Sequence, residues 1–508
     1  MSRSLYARLH RRFGARLSGE QRYEKITRRQ VAVTEQVASF QESLSRQKTH
    51  HAIRVIVVGG GFAGLMAART LAPHREVILF EARERVGGRV HSLRDVNSKR
   101  IVEAGAELIG YAHPTWLSLA QHYGLSLVAW SSDSQFDALK LETPTCLNGK
   151  LLTRAQNRDV YDEMNQVFGL MSRTAKELVK DPYKPWMDTT LATWDAKPLS
   201  AWLDSQNCGP LTRMALEVQF SNTNAAPTTR QSLLANLALV AGAALHGDPD
   251  DFFTMSENAR CSSGNDMLAQ RLAREIDSKG GKIHFSSPVE KIKIHKDRVA
   301  VTCRGGLPMD ADFVVLAIPP TLWKTGDIEL VEPSIPSNCF MTMGSAVKHL
   351  SQTASRFWVS SELAPSGSSD QCGMTWEGTD NQTQLAGQVV ELSLFAGGDA
   401  AMRGVEAFER GGQAGARSFY DEAIGKIYPT YARNRLDTRF VCWPHEDWTM
   451  TGYSCPAPGD VFQVSPNLAQ PHEDRLYFAG EHTCLPFFGY MEGALQSGVI
   501  AARAILQR

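Results

Sequence analysis

The stretch Arg54-Val55-Ile56-Val57-Val58-Gly59-Gly60-Gly61-Phe62-Ala63-Gly64 constrains the fold more than any other part of this 508-residue chain. An apolar run suited to a buried parallel strand meets G-x-G-x-x-G at Gly59, Gly61 and Gly64, and residues 65–69 continue with helical character. Each glycine has a steric task in a dinucleotide site. Gly59 permits the tight turn, Gly61 lets the backbone approach a pyrophosphate, and Gly64 lets helix and strand pack closely. The helix start then offers free N–H groups and a partial positive charge to phosphates. A second strand over residues 76–80 ends in Glu81, about 20 residues beyond the glycines, where a dinucleotide fold places its ribose-binding acid. A carboxylate there accepts from ribose hydroxyls and repels a 2′-phosphate, which favours the adenosine of FAD or NAD over NADP.

Residues 81–90 (E-A-R-E-R-V-G-G-R-V) add a second glycine turn flanked by Arg83 and Arg89. A plain NAD site has no need of that turn, whereas a longer cofactor reaching past the first unit could use the arginines as phosphate clamps. Near the C-terminus, residues 475–482 read as a strand closing on a turn, and residues 489–498 lead into a helix running to Ile505.

Composition admits two or three domains with real cores, at 43% hydrophobic content. The formal net charge is zero, so the whole chain offers no case for nucleic acid or a membrane surface as partner. No apolar run reaches the length of a membrane span or has the shape of a signal-peptide core, and a soluble, cytoplasmic protein is expected. Nine widely spaced cysteines without a C-x-x-C point to scattered thiols rather than a disulfide scaffold or metal site. Residues 1–50 hold 11 Lys/Arg against 4 Asp/Glu, a net +7, and residues 23–44 read as amphipathic helix. A solvated basic arm packing on the body is the expectation for this segment, with an acidic partner as the alternative.

The expected architecture is α/β. A discontinuous Rossmann-like dinucleotide domain (51–130, 255–335 and 455–508) carries an α+β substrate-binding domain. That second domain is made of a helical insertion (131–254) and a strand-rich segment (336–454), with the helical arm 1–50 in front. Helices are expected over 117–123, 160–178, 211–220, 233–245 and 266–276, with strands over 282–285, 299–302 and 313–317. Residues 365–370 (P-S-G-S-S-D) read as a surface loop.

Five ordered motifs carry a resemblance: E-A-R-E-R-V-G-G-R (81–89), E-A-G-A-E-L-I-G (103–110), A-I-P-P-T-L (317–322), A-G-E-H-T (479–483) and G-Y-M-E-G-A (489–494). They occur in the order seen in the flavin amine oxidase superfamily, and the resemblance covers residue 53 to the C-terminus. It implies FAD, a two-domain fold and oxidation of a carbon–nitrogen bond, commonly in a homodimer. Motif by motif, it assigns Glu81 to the adenosine ribose and Arg83 and Arg89 to the pyrophosphate and flavin side. Val289 would bring its backbone to the adenine, Glu481 would meet the ribityl or pyrophosphate segment, and Met491 would present its N–H to the flavin pyrimidine. Ala63, Gly88, Ala106, Glu107, Leu108, Gly480 and Ala494 fall within the same cofactor contacts, and Trp448 and Tyr453 match the segment bordering the flavin. Tyr490 resembles one wall of the aromatic slot that aligns the substrate. The second wall of the monoamine oxidases would fall near Pro458, and their flavin-linking cysteine near Ala457, two residues from Cys455. FAD is therefore expected to be non-covalent.

Lys348, in M-G-S-A-V-K, corresponds to the lysine that holds a water near the flavin in much of this superfamily. An ammonium in a closed apolar site is costly unless it has a partner or loses its proton. The implied reaction takes a hydride from the α-carbon of a neutral amine and gives a carbonyl compound, ammonia and hydrogen peroxide, with dioxygen as acceptor. Residues 103–110 and 373–378 (G-M-T-W-E-G) resemble bacterial L-amino-acid oxidases, so an L-amino acid is the expected substrate. A monoamine oxidase is the alternative, and a flavin-binding scaffold the second. Leu108 stands where animal L-amino-acid oxidases place their carboxylate-binding arginine. Arg213, Arg230, Arg260 and Arg356 are the candidates to replace it. No metal ligands are expected.

Overall fold

The computed structural model describes residues 4–14, 53–94, 100–129, 139–244, 252–326, 328–382 and 389–508. The amphipathic stretch 23–44 lies outside the described residues. In chain order, the first elements that frame the site are α1 (Leu5–Phe13), β1 (Arg54–Val58), α2 (Phe62–Leu71) and β2 (Glu76–Phe80). Helices α3 (Arg154–Leu178), α4 (Pro210–Asn224), α5 (Leu233–Ala244) and α6 (Asp266–Ser278) follow, then β3 (Lys282–His284) and β4 (Phe313–Leu316). Strands β5 (Ala346–Thr353), β6 (Gly373–Glu377), β7 (Val390–Gly397), β8 (Arg435–Cys442) and β9 (Leu476–Phe478) precede the final helix α7 (Met491–Leu506).

Strands β9, β4, β1, β2 and β3 form a parallel sheet in that order. Val55 to Val58 are buried on both faces, the reason β1 reads as an unbroken apolar run rather than an alternation. The chain leaves β1 through Gly59, whose φ of +104° is strained for any residue with a Cβ, and the Gly59 N–H donates to the Phe80 carbonyl at 2.8 Å. Helix α2 then returns over the sheet so closely that a Cβ on Gly64 would stand 1.9 Å from the Gly59 carbonyl oxygen. Helix α7 crosses α2 at a similarly tight point, where a Cβ on Gly498 would meet the Ala63 carbonyl at 2.2 Å. The sheet thus takes strands from three separated stretches of sequence, and its C-terminal edge faces a second, mostly antiparallel sheet.

That second sheet has seven strands, in the order β8, β5, β7, β6, Ser368–Ser369, Thr145–Leu147 and Lys150–Leu151. The helical span Gly398–Ile427, broken at Gly411 and Gly412, packs on it with Ala401, Tyr420, Ile424 and Ile427 buried. Two of its strands come from the segment expected to be a helical insertion. Residues 365–369 are buried rather than a surface loop, because Ser368–Ser369 is itself a strand and Arg8 of α1 bonds Gly367 and Ser368. Helices α3, α4 and α5 build a third core beside the sheets, and α1 is part of it. The described part of the N-terminal segment is therefore not a solvated arm: Leu5, Ala7, Arg8 and Leu9 are each at most 2% exposed. Among the described residues no helix is long and apolar enough to cross a membrane.

Candidate functional site

A cavity of ≈ 1550 Å³, partly open to solvent, runs from the C-terminal ends of β1 and β2 to the seven-stranded sheet. Its wall reaches from the glycine turns of the parallel sheet to Lys348 and Trp376 of the seven-stranded sheet, so the space joins the two halves of the molecule. Gly59, Gly61 and Ala63 line one end, at the start of α2, where backbone N–H groups are free to meet a phosphate. A Cβ built on Gly61 meets nothing within 4 Å, so the space above it is kept open by the glycine alone. Gly64 is not on the wall; its work is the helix–strand contact. Glu81 is 4% exposed, and its two oxygens accept from the Gly60 N–H at 2.6 Å and the Arg83 N–H at 2.8 Å. Those bonds fix the carboxylate at the tip of β2, where it also lines the cavity.

Arg83, Gly88 and Arg89 line the next section. Arg83 donates to Thr449 Oγ1 at 2.9 Å, and Arg89 donates to the Gly452 carbonyl at 2.8 Å and to Glu481 Oε1 at 2.9 Å. Glu481 is fully enclosed and also accepts from the Ser454 and Gly489 N–H groups and the Ser454 hydroxyl. Burial acts to raise its carboxyl, but Arg89, His482 and these donors outweigh it and hold the group below the usual carboxylate range. Beside it His482 is 2% exposed, burial pushes it down to about 4, and neither ring nitrogen has a hydrogen-bond partner among the described residues. The open cradle at Gly61, the helix start, the two arginines and the unpartnered imidazole together fit a bound dinucleotide.

Further along, Ala106, Glu107, Leu108 and Lys348 share the wall with Trp376. Lys348 Nζ donates to Glu107 Oε2 at 2.7 Å and to the Glu103 carbonyl at 2.7 Å, and lies 5.6 Å from the centre of the Trp376 ring. Trp376 Nε1 donates to Glu107 Oε1 at 3.1 Å, and Arg260 stands 3.9 Å from the same oxygen. The cost of a buried ammonium is thus met by a buried carboxylate on the facing segment. Glu103 lies beneath, where burial pushes its carboxyl up to about 7 despite hydrogen bonds from Asn265 N–H and Ser92.

Tyr453, Tyr490, Met491 and Ala494 also line the cavity, as do Gly480 beside Glu481 and Trp448 beside the Thr449 that holds Arg83. Tyr453 is anchored by its hydroxyl, which donates to the Asn222 and Thr223 carbonyls at 2.9 and 3.1 Å, and its ring lies against Gly489. The Tyr490 ring centre is 5.2 Å from that of His113, which burial pushes down to about 3. Met491 opens α7, so its N–H is one of the free donors of that helix start.

Two expectations, Val289 and the carboxylate-binding arginines, need correction. Val289 is not on the cavity wall; it opens a strand paired with Cys303, and the backbone that touches the Glu81 loop is Ser286 and Ser287, which donate to the Arg83 and Glu81 carbonyls. Ala457 and Pro458 do not line the cavity either. Tyr453, expected to border the flavin, does line it, and with Tyr490 it puts two tyrosines on the wall. Cys455 is fully buried, bonded through its N–H to Thr342, and none of the nine cysteines lines the cavity. The four candidate arginines also stand off the wall: Arg213 pairs with Asp204 and Glu217, Arg356 with Glu377, Arg260 bonds the Gly378 and Asp380 carbonyls, and Arg230 is exposed.

Sequence reasoning missed Trp376, His482, Asn222, Thr223 and Glu257 as wall residues. Trp376 and His482 sat inside motifs already singled out, so proximity to those motifs was a usable signal. Glu257 had none.

The profile of the family "Flavin containing amine oxidoreductase" matches residues 62–506. Bovine amine oxidase [flavin-containing] A is 25% identical over 486 residues, covering 91% of this chain and 87% of its own length. Human amine oxidase [flavin-containing] B is 26% identical over 465 residues, covering 89% and 86%. Among solved structures, a putrescine oxidase bound to putrescine superposes with a TM-score of 0.74 at 19% identity, covering 90% of this chain and 99% of that one. Cyclohexylamine oxidase from Brevibacterium oxydans gives 0.74 at 20% identity with the same coverage. At that identity the superpositions speak for the fold alone.

Proposed function

Since the chain belongs to the flavin-containing amine oxidoreductases and is an FAD-dependent oxidoreductase, we propose that it oxidises amines that carry no α-carboxylate. The observation that supports this most is the charge on the cavity wall. Among the described residues its Lys/Arg side chains are Arg83, Arg89 and Lys348, and each already faces an acid: Glu446, Glu481 and Glu107 respectively. Glu257 adds another carboxylate beside the tyrosines. A substrate carboxylate brought among these groups would be desolvated without a dedicated partner, a penalty of several kcal/mol. A primary amine meets no such penalty. That the solved relatives include proteins described by putrescine and cyclohexylamine agrees with this reading.

FAD, when bound, supplies the two-electron oxidation of the carbon–nitrogen bond. The protein's part is to hold and to orient. Glu81 receives the adenosine ribose, and the start of α2 with Arg83 and Arg89 receives the pyrophosphate. Met491 offers its N–H to the pyrimidine at the start of α7, where negative charge is stabilised. Attachment is non-covalent, as no cysteine reaches the cavity. Tyr453 and Tyr490 confine the amine, and Lys348, fixed by Glu107, orders a water beside the reacting carbon. In net terms a primary amine, water and dioxygen become a carbonyl compound, ammonia and hydrogen peroxide. The amine reacts as its free base, so turnover rises toward alkaline pH.

One observation favours an L-amino acid instead. Lys348 on the cavity wall and Arg260 behind it both lie beside Glu107, a concentration of positive charge toward which a substrate carboxylate would be drawn. Peroxide formation with L-tyrosine, L-phenylalanine and L-lysine against tyramine, phenethylamine and cadaverine decides between them. Turnover of the amines is expected. Turnover confined to the amino acids would overturn the proposal, and no turnover of either would favour a flavin-binding scaffold.

A further inference from the structure

The N-terminal helix is tied into the fold at both ends. Tyr6 N–H donates to Gln219 of α4 at 3.2 Å, its hydroxyl donates to Asn165 of α3 at 2.6 Å, and its ring meets Phe168 edge-on at 4.6 Å. Arg8 is 2% exposed and reaches the Ser368 hydroxyl at 3.1 Å and the Thr375 carbonyl at 3.3 Å on the substrate sheet. Arg12 holds the Leu141 carbonyl at 3.0 Å. Such a set of anchors fixes the position of the helix start, Ser4, whose side chain caps α1 by accepting from the Ala7 N–H.

What Ser4 faces gives the helix a further role. Behind the main cavity lies a small side chamber, with room for little more than a water molecule. Thr223, Glu257 and Tyr490 line both spaces, so these three side chains form the boundary between them, called the doorway below. Beyond the doorway the walls include Phe252, Phe253 and Ser4, whose hydroxyl donates to the Phe253 carbonyl at 3.5 Å. Phe253 stacks on Phe168 at 4.1 Å and leaves that wall little freedom to yield.

We infer that α1 is the end wall of the substrate compartment: by holding Ser4 against Phe252 and Phe253, it sets the longest amine the enzyme accepts. This rests on the proposed amine oxidation and names its substrate class more narrowly. The reacting carbon lies on the Lys348 side of Tyr490, and the opposite end of the amine points through the doorway. Short primary amines fit in front of the doorway, and longer chains are stopped by the helix start.

The test is a series of linear primary amines from n-propylamine to n-octylamine, measured on wild-type enzyme and two variants in their FAD-loaded form. One variant lacks residues 1–14. The other, Ser4→Gly with Phe252→Ala, widens the chamber while keeping every other anchor of α1, and glycine is tolerated at a helix N-cap. Wild-type kcat/KM should fall sharply beyond a threshold length. In the variants the threshold should move outward, with about a tenfold gain for n-octylamine relative to n-butylamine. Thermal shifts caused by the same amines, which need no turnover, should follow the same order. An unchanged length profile in the double variant, or a change that affects all lengths equally, overturns the end wall. Wild-type enzyme inactive on every amine sinks the proposed function instead, and the thermal shifts then decide the end wall by themselves.

Discussion

The pairing of Lys348 with Glu107 makes a quantitative demand on stability. At 2.7 Å, with an effective dielectric constant of about 20, the direct attraction is roughly 6 kcal/mol, most of it offset by the desolvation of two buried charges. Removing one partner exposes that desolvation, at ~3–5 kcal/mol. The two halves are not equivalent. Lys348→Met leaves Glu107 with the Trp376 N–H and Arg260 at 3.9 Å, so the loss should sit near or below the low end, ~2–3 kcal/mol. Glu107→Gln leaves Lys348 and Arg260 as two like charges with no carboxylate between them, and ~4–5 kcal/mol is expected. The double variant removes both the charge and its counter-charge and should cost less than the sum of the singles by on the order of 2–3 kcal/mol. Urea unfolding of the FAD-loaded protein, followed by tryptophan and flavin fluorescence, reads all three. Additivity within ~0.5 kcal/mol would show that the two side chains do not stabilise one another, and the ammonium would then have to be reassigned. Turnover is a separate reading: Lys348→Met should slow oxidation strongly, and an unchanged rate removes it from the chemistry.

Gly61→Ala should fold with little change in stability, because the added methyl meets nothing within 4 Å, yet it should weaken FAD binding about tenfold or more by intruding on the pyrophosphate space; equal affinity would argue against that cradle. Glu103 titrates near 7 in the folded chain and at an ordinary carboxylate value when unfolded, so its stabilising contribution is complete below about pH 4.5 and is lost as pH rises through 7. Glu103→Gln should therefore flatten the fall in stability between pH 4.5 and 7, by roughly 3 kcal/mol; a wild-type slope in the variant would refute the assignment. Acid precipitation should release the yellow colour into the supernatant, and colour kept in the pellet would mean a covalent flavin.

The dinucleotide half of the molecule was legible because its determinants are local. The turn at Gly59, the close contact at Gly64 and the acid at the tip of β2 are set by backbone sterics within some 30 residues of one another, and such constraints leave a pattern of glycines and a spaced carboxylate. The substrate half is held by bonds between segments far apart in sequence. Lys348 meets Glu107 across 241 positions and Trp376 meets it across 269, and neither spacing has a period or motif to betray it. The same reason explains the N-terminal segment. Its positive charge matched a solvated face, but Arg8 donates to the Thr375 carbonyl of the seven-stranded sheet and Arg12 to the Leu141 carbonyl and the Glu142 carboxylate, partners that only the tertiary fold supplies. It follows that in this chain cofactor choice and substrate choice are carried by different kinds of sequence information. Substitutions that redirect specificity should fall outside the glycine-rich motifs, at Glu257, Phe252 and Ser4, where the chain could change its substrate without disturbing the cradle that holds FAD.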